Sequence, residues 1–155
     1  MGQQQLLLVI LVTIIVGIAT VIAITTFSSA ADSANRDAVR QDMANIASST
    51  QGYYMKPIFL GGGEKTFDGI SFKDISFPSD GINSAGNVAQ NQNGRYEIEA
   101  NDQELTITAH PANDLTYRSS GVISRLLDGT GSDASTKIIG IVGPNTYRLR
   151  VPTED

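Results

Sequence analysis

From residue 6 to residue 24 the chain is apolar at every position except Thr13, Gly17 and Thr20. As a helix this run would be ~28 Å long, about the thickness of a bilayer's hydrocarbon layer. It is apolar all round instead of along one stripe, so its predicted environment is lipid or other copies of the same segment. Residues 28–51 contain no Pro or Gly and are rich in Ala, Asp, Arg and Gln. Within them Val39, Met43, Ile46, Thr50 and Tyr53 recur at alternating steps of four and three, which places them on one face of a helix. Asp32 precedes Arg36 by four residues, the favourable order for a pair on a helix. Gly52 follows as a stop signal. The pattern predicts one helix over residues 3–51, with an oily first half and an amphipathic second half whose stripe packs under a globular head.

The remainder changes character. Residues 53–94 are punctuated by Pro57, Gly61, Gly62, Gly63, Pro78, Gly81, Gly86 and Gly94, with Asn83, Asn87, Asn91 and Asn93 between them, and predict mostly loop. Ile70 and Phe72 suggest one short strand within residues 66–72. From Gly94 onward, Tyr96, Ile98 and Ala100 alternate with Arg95, Glu97 and Glu99, and then Leu105, Ile107 and Ala109 alternate with Thr106 and Thr108. Asn101 and Asp102 stand between the two runs, predicting a hairpin. Residues 122–126 offer a further strand. Residues 137–142 and 146–151 predict a second hairpin around Gly143, Pro144 and Asn145, with Tyr147, Leu149 and Val151 inward and Arg148 and Arg150 outward. The fold class is α+β: a long N-terminal helix packed on a small antiparallel sheet of about four strands. The organisation is an oily helix half over residues 1–27, an amphipathic half over 28–52, and a β-rich head over 53–155.

Charge sharpens the division. The 11 Lys and Arg and the 16 Asp and Glu all follow Ala31. A net charge of -5 argues against nucleic acid as the main partner, because phosphate binding needs a basic face. The absence of cysteine removes disulfides, a thiol nucleophile and cysteine metal sites. The single histidine, His110, has no second histidine to share a metal or a triad. Gly61 to Thr66 reads GGGEKT, which lacks the spacing of a phosphate loop and predicts a turn. Glu97, Glu99 and Glu104 lie on the solvated side of the predicted hairpin, and the Asp128 and Asp133 turn matches a calcium loop in composition only. No acid, base and nucleophile set converges, so neither an enzyme nor a cofactor is expected.

A charge-free oily start, one long helix and a β-rich head together resemble a type IV pilin or pseudopilin. The segment GQQQLLLVILVTIIVGIA is similar to the N-terminus of a bacterial pilin-like group in which glycine precedes a glutamine run. ANRDAVRQDMANIASSTQGYYMKP, followed by GGG and a Phe-Asp-Gly-Ile turn, resembles the helix end and first loop of the same group, so the likeness covers residues 2 to about 72. It implies processing between Gly2 and Gln3 by a prepilin peptidase, methylation of the new N-terminus, insertion in the inner membrane, and export by a pilus assembly machinery. It also implies a filament core built from Gln5, Leu6, Leu7, Leu8, Val9, Ile10, Leu11, Val12, Ile14, Ile15, Val16, Gly17, Ile18, Val21, Ile22, Ile24 and Phe27. Val39, Met43, Ile46 and Tyr53 would join helix to head.

Two departures from the family pattern stand out. Most type IV pilins carry a glutamate five residues into the mature chain, and this chain has no acid before Asp32. Gln5 or Leu7 holds that place, depending on whether the mature chain starts at Met1 or Gln3. The usual helix-kinking proline is replaced by Ile22, so any loosening of the helix on assembly falls near Gly17.

The expected function is a structural subunit of a cell-surface, extracellular type IV pilus-like filament, whose main partners are other copies of itself. The alternatives are a pseudopilin or minor pilin of a secretion system, and a monomeric membrane-anchored binding module. Adhesion, motility, DNA uptake and secretion would all use this architecture and differ in exposed loops such as residues 81–93 and 128–135.

Overall fold

The computed structural model describes residues 2–113 and 137–150. The expected strand at residues 122–126, the Asp128 to Asp133 turn and Val151 lie outside the described residues. The fold is α+β. A long N-terminal helix, α1 (Gly2–Met55), precedes six strands: β1 (Gly81–Ile82), β2 (Val88–Gln90), β3 (Gly94–Ala100), β4 (Leu105–Pro111), β5 (Ile138–Gly143) and β6 (Thr146–Arg150). The strands form one antiparallel sheet in simple chain order, β1 to β6.

The chain divides into two compact units between Ala34 and Asn35. Residues 2–34 are helical and exposed throughout. Four of their hydroxyls bond back within the helix: Thr13 donates to the Ile10 carbonyl (2.8 Å), Thr20 to Val16 (2.8 Å), Thr25 to Ile22 (2.9 Å) and Ser33 to Ser29 (3.0 Å). A threonine that back-bonds to its own helix needs no partner from outside, so it is tolerated in an apolar setting.

The second unit begins where the helix first bonds to the head. Asn35 Nδ2 donates to the Asn93 carbonyl (3.0 Å), and the Asn113 amide donates to Asn35 Oδ1 (3.3 Å). Val39, Met43, Ile46, Ala47, Thr50 and Tyr54 of the helix are buried. They meet the inward face of the sheet, where Tyr96, Ile98, Leu105, Ile107, Ala109, Ile138 and Val142 are buried at alternate positions. Tyr54 closes the helical stripe, and Tyr53 beside it is only partly buried against the core.

Three expectations are corrected. The helix continues past Gly52 to Met55. Its last turn is capped from further along the chain: the amides of Gly63 and Lys65 donate to the carbonyls of Tyr53 (2.9 Å) and Tyr54 (2.8 Å). The GGG segment makes this return possible. A Cβ on Gly62 would sit 2.2 Å from the Lys56 carbonyl oxygen, and one on Gly63 would sit 2.0 Å from that of Thr66. GGGEKT is therefore the capping loop of α1, with Glu64 and Lys65 held at positive φ.

Residues 66–72 form no strand. Phe67, Ile70 and Phe72 are buried, but their amides bond to Asp102, Phe67 and Gly86 instead of a ladder. They join Ile75 and Phe77 in an aromatic-rich cover, with Phe77 edge-on to Tyr96 at 5.1 Å and Tyr54 against Phe67 at 4.7 Å. The described sheet has six strands where about four were expected, because β1 and β2 occupy part of the segment predicted as loop. Leu149 stands opposite Gly140 on the inward side, as expected, but is 40% exposed on the marginal strand β6.

Candidate functional site

Two surfaces and one internal clamp carry the features that bear on function. The first surface is the apolar helix. Leu6, Leu7, Leu8, Val9, Ile10, Leu11, Val12, Ile14, Ile15, Val16, Ile18, Val21, Ile22, Ile24 and Phe27 are between 49% and 77% exposed. Gln5 and Gly17 are exposed as well, and no atom lies within 4 Å of the position a Cβ would take on Gly17. Gly2 and Gln3 lie in the first turn of the helix and are exposed. Among the described residues this is one helix long and apolar enough to cross a membrane, and none of its apolar window is buried within the chain. Such a surface is unstable in water by ~25 cal/mol per Å² and needs a cover.

The clamp lies in the head. One oxygen of Asp42, Oδ2, accepts three hydrogen bonds: from Asn91 Nδ2 (2.8 Å), Asn93 Nδ2 (2.8 Å) and the Tyr96 hydroxyl (2.6 Å). A carboxylate on the helix thereby fixes the β2–β3 turn and the central strand in one step. Asn91 Oδ1 in turn accepts from the amides of Asn93 (2.9 Å) and Gly94 (3.1 Å), which shapes the turn. The sequence reading missed this group, since its partners are 49, 51 and 54 residues from Asp42.

The second surface is the outward face of the sheet. Arg95 is buried there, and its Nη2 lies 3.7 Å from Glu97 Oε2. Among the described residues its Nε and Nη2 have no hydrogen-bond partner, and neither does Oε1 of Gln90 on the facing position of β2. His110 stands opposite Arg95 on β4.

Two tyrosines are perturbed. Burial, and then the charges of Asp74 and Asp68, raise the Tyr53 phenol above its ordinary value. Burial alone raises Tyr147, whose hydroxyl has no hydrogen-bond partner among the described residues. The Tyr147 ring fills space left by Gly140, where a Cβ would come within 3.0 Å of both that ring and the Met43 methyl. Among the described residues no group of three or more His, Cys, Asp or Glu is placed to hold a metal ion.

Of the residues expected to join helix and head, Val39, Met43 and Ile46 are fully buried in the common core and Tyr53 packs at its margin. Glu97 and Glu99 are placed on the outward face of β3, and Glu104 is exposed in the turn that follows.

Compared with known protein families, curated proteins and solved structures, the chain matches none. The class is defined by the fold itself: α+β, with a long apolar N-terminal helix whose second half packs on an antiparallel sheet. That arrangement is compatible with a pilin-like fold.

Proposed function

We propose that this chain is a structural subunit that self-assembles into an extracellular type IV pilus-like filament through its apolar N-terminal helix. The single observation that carries the reading is the contrast within α1. Its first 30 or so residues bear no charge and expose their apolar side chains all round, while Val39, Met43, Ile46, Ala47 and Tyr54 further along are buried in the head.

A helix of this kind has two suitable environments, and pilus biogenesis uses both. Before assembly it rests in the inner membrane, where its apolar surface and self-satisfied threonines incur no polar penalty. After assembly it packs against neighbouring helices. Moving from lipid to other helices is close to neutral in hydrophobic terms, which makes extraction and storage feasible. A charge-free surface also avoids stranding an ion in the filament centre. On this reading a prepilin peptidase cleaves after Gly2 and the amine of Gln3 is methylated. Leu7 then holds the place of the family's usual glutamate, so the assembling helix relies on apolar packing and not on a charge pair there.

The test is electron microscopy of material sheared from cells, with mass spectrometry of the sheared fraction. Filaments in which this chain dominates are the expected result. A chain present in filaments only in trace amount would instead mark a minor pilin. A chain found solely as a membrane-held monomer would overturn the proposal.

A further inference from the structure

The strand register sorts charge on the outward sheet face into two columns. Glu97 stands opposite Thr108, Thr108 opposite Ile139, and Ile139 opposite Arg150. The next row repeats the order: Glu99, Thr106, Ile141, Arg148. These positions alternate with the buried Ile98, Leu105, Ile107, Ile138 and Val142, so both rows face away from the core. The face thus carries an acidic column on β3 and a basic column on β6, separated by two uncharged strands.

Within one chain the columns cannot meet. Three strand spacings of ~4.8 Å put them ~14 Å apart. Among the described residues Arg148, Arg150 and Glu99 form no ion pair, and Glu97 has only the 3.7 Å approach of Arg95. The basic column is exposed, and of the acidic column Glu99 is exposed and Glu97 partly so. Arg148 and Arg150 are exposed on β6, the margin of the described sheet. Glu99 is exposed, and β2 ends at Val88 opposite Glu97, so Glu99 lies beyond the strand that would flank it.

We propose that the acidic column of one copy, Glu97 and Glu99, docks against the basic column of a second copy, Arg148 and Arg150, joining neighbouring heads side by side. The inference rests on the filament reading and specifies its head contact. The occupant is a second copy because one chain presents both signs at the same spacing: each column is an i, i+2 pair, ~7 Å between members. A foreign acidic or basic partner would require one column only. The two patches differ, so the contact is heterologous and leaves a free column at each end for the next copy, as an open helical array requires. Charged side chains on β6 also discourage unspecific strand pairing at the sheet margin.

The chain has no cysteine, which makes the test direct. Full-length protein carrying Glu99→Cys and Arg148→Cys keeps one charge in each column, and mild oxidation on cells is expected to give a ladder of cross-linked multimers. Separately, R148E with R150E, or E97R with E99R, should lower filament yield by at least about tenfold through like-charge opposition. Combining all four should restore it. The thermal midpoint of the head in detergent, unchanged in each variant, reports folding, and the cysteine pair decides the matter for any variant that misfolds. Wild-type filaments with no ladder and no effect of charge reversal would overturn the docking while leaving the filament reading intact. Absence of filaments with a ladder still formed would uphold the docking and remove the filament reading. Absence of both would overturn both.

Discussion

Replacing Asp42 with alanine tests whether the clamp organises the head. The carboxylate oxygen accepts from two amide groups and one phenol at 2.6 to 2.8 Å. A hydrogen bond to a charged group contributes about 1.5–3 kcal/mol net, so three set an upper range of about 4.5–9 kcal/mol. The whole of that is not expected. Asn91 and Asn93 are only part-buried, and water can replace the lost acceptor for both. Tyr96 is fully buried, so the loss of its charged acceptor carries the largest share. Asp42→Ala should therefore destabilise the head by about 3 kcal/mol. Asp42→Asn, which keeps a neutral oxygen in place, should cost about half as much. For a head of about 120 residues the unfolding entropy is about 0.25 kcal/mol/K, so 3 kcal/mol lowers the midpoint by about 12 °C. The assay is thermal unfolding of the full chain in detergent, followed by tyrosine circular dichroism, since the protein has five tyrosines and no tryptophan. A loss below about 0.5 kcal/mol for Asp42→Ala would refute the reasoning, as it would equal an ordinary surface change.

Further predictions follow from the same structure. Tyr147→Phe removes a buried hydroxyl that has no partner among the described residues and should leave stability unchanged or raise it by about 1 kcal/mol, measured by the same melt. Because the folded state raises the phenols of Tyr53 and Tyr147, the unfolded chain deprotonates first as pH rises past 10.0. Stability should hold below that value and fall above it, and the double Phe variant should flatten the fall. Gly62→Ala drives a Cβ into the Lys56 carbonyl and should uncap the helix, costing about 2–4 kcal/mol, whereas Gly17→Ala meets open space and should leave the fold intact. Ile15→Asp places a charge amid the apolar run and should weaken membrane retention by about 3 kcal/mol, read as release into the soluble fraction, while Thr20→Val should not.

The helix was the most legible element. An uninterrupted apolar run and a period near 3.6 are local signals, and both survive into the structure at residues 6–24 and at Val39, Met43 and Ile46. Its end was misjudged because Gly52 stops a helix only when the chain leaves there, and the cap comes instead from Gly63 and Lys65. The hairpins of β3 with β4 and β5 with β6 were legible from alternation over five to seven residues. β1 and β2, at two and three residues, are too short to alternate. Ile70 and Phe72 showed burial correctly and backbone pairing wrongly, since side-chain pattern does not say where an amide bonds. The Asp42 clamp and the two charge columns are products of tertiary register. The residues were visible in the sequence, and their juxtaposition was not.

Helical reconstruction of purified surface filaments tests the central claim most directly. The account predicts filaments of this chain in which the side chains from Leu6 to Phe27, exposed in the single chain, are buried against those of neighbouring copies around the axis. Filaments built through the heads alone, with this helix still exposed or removed, would contradict it.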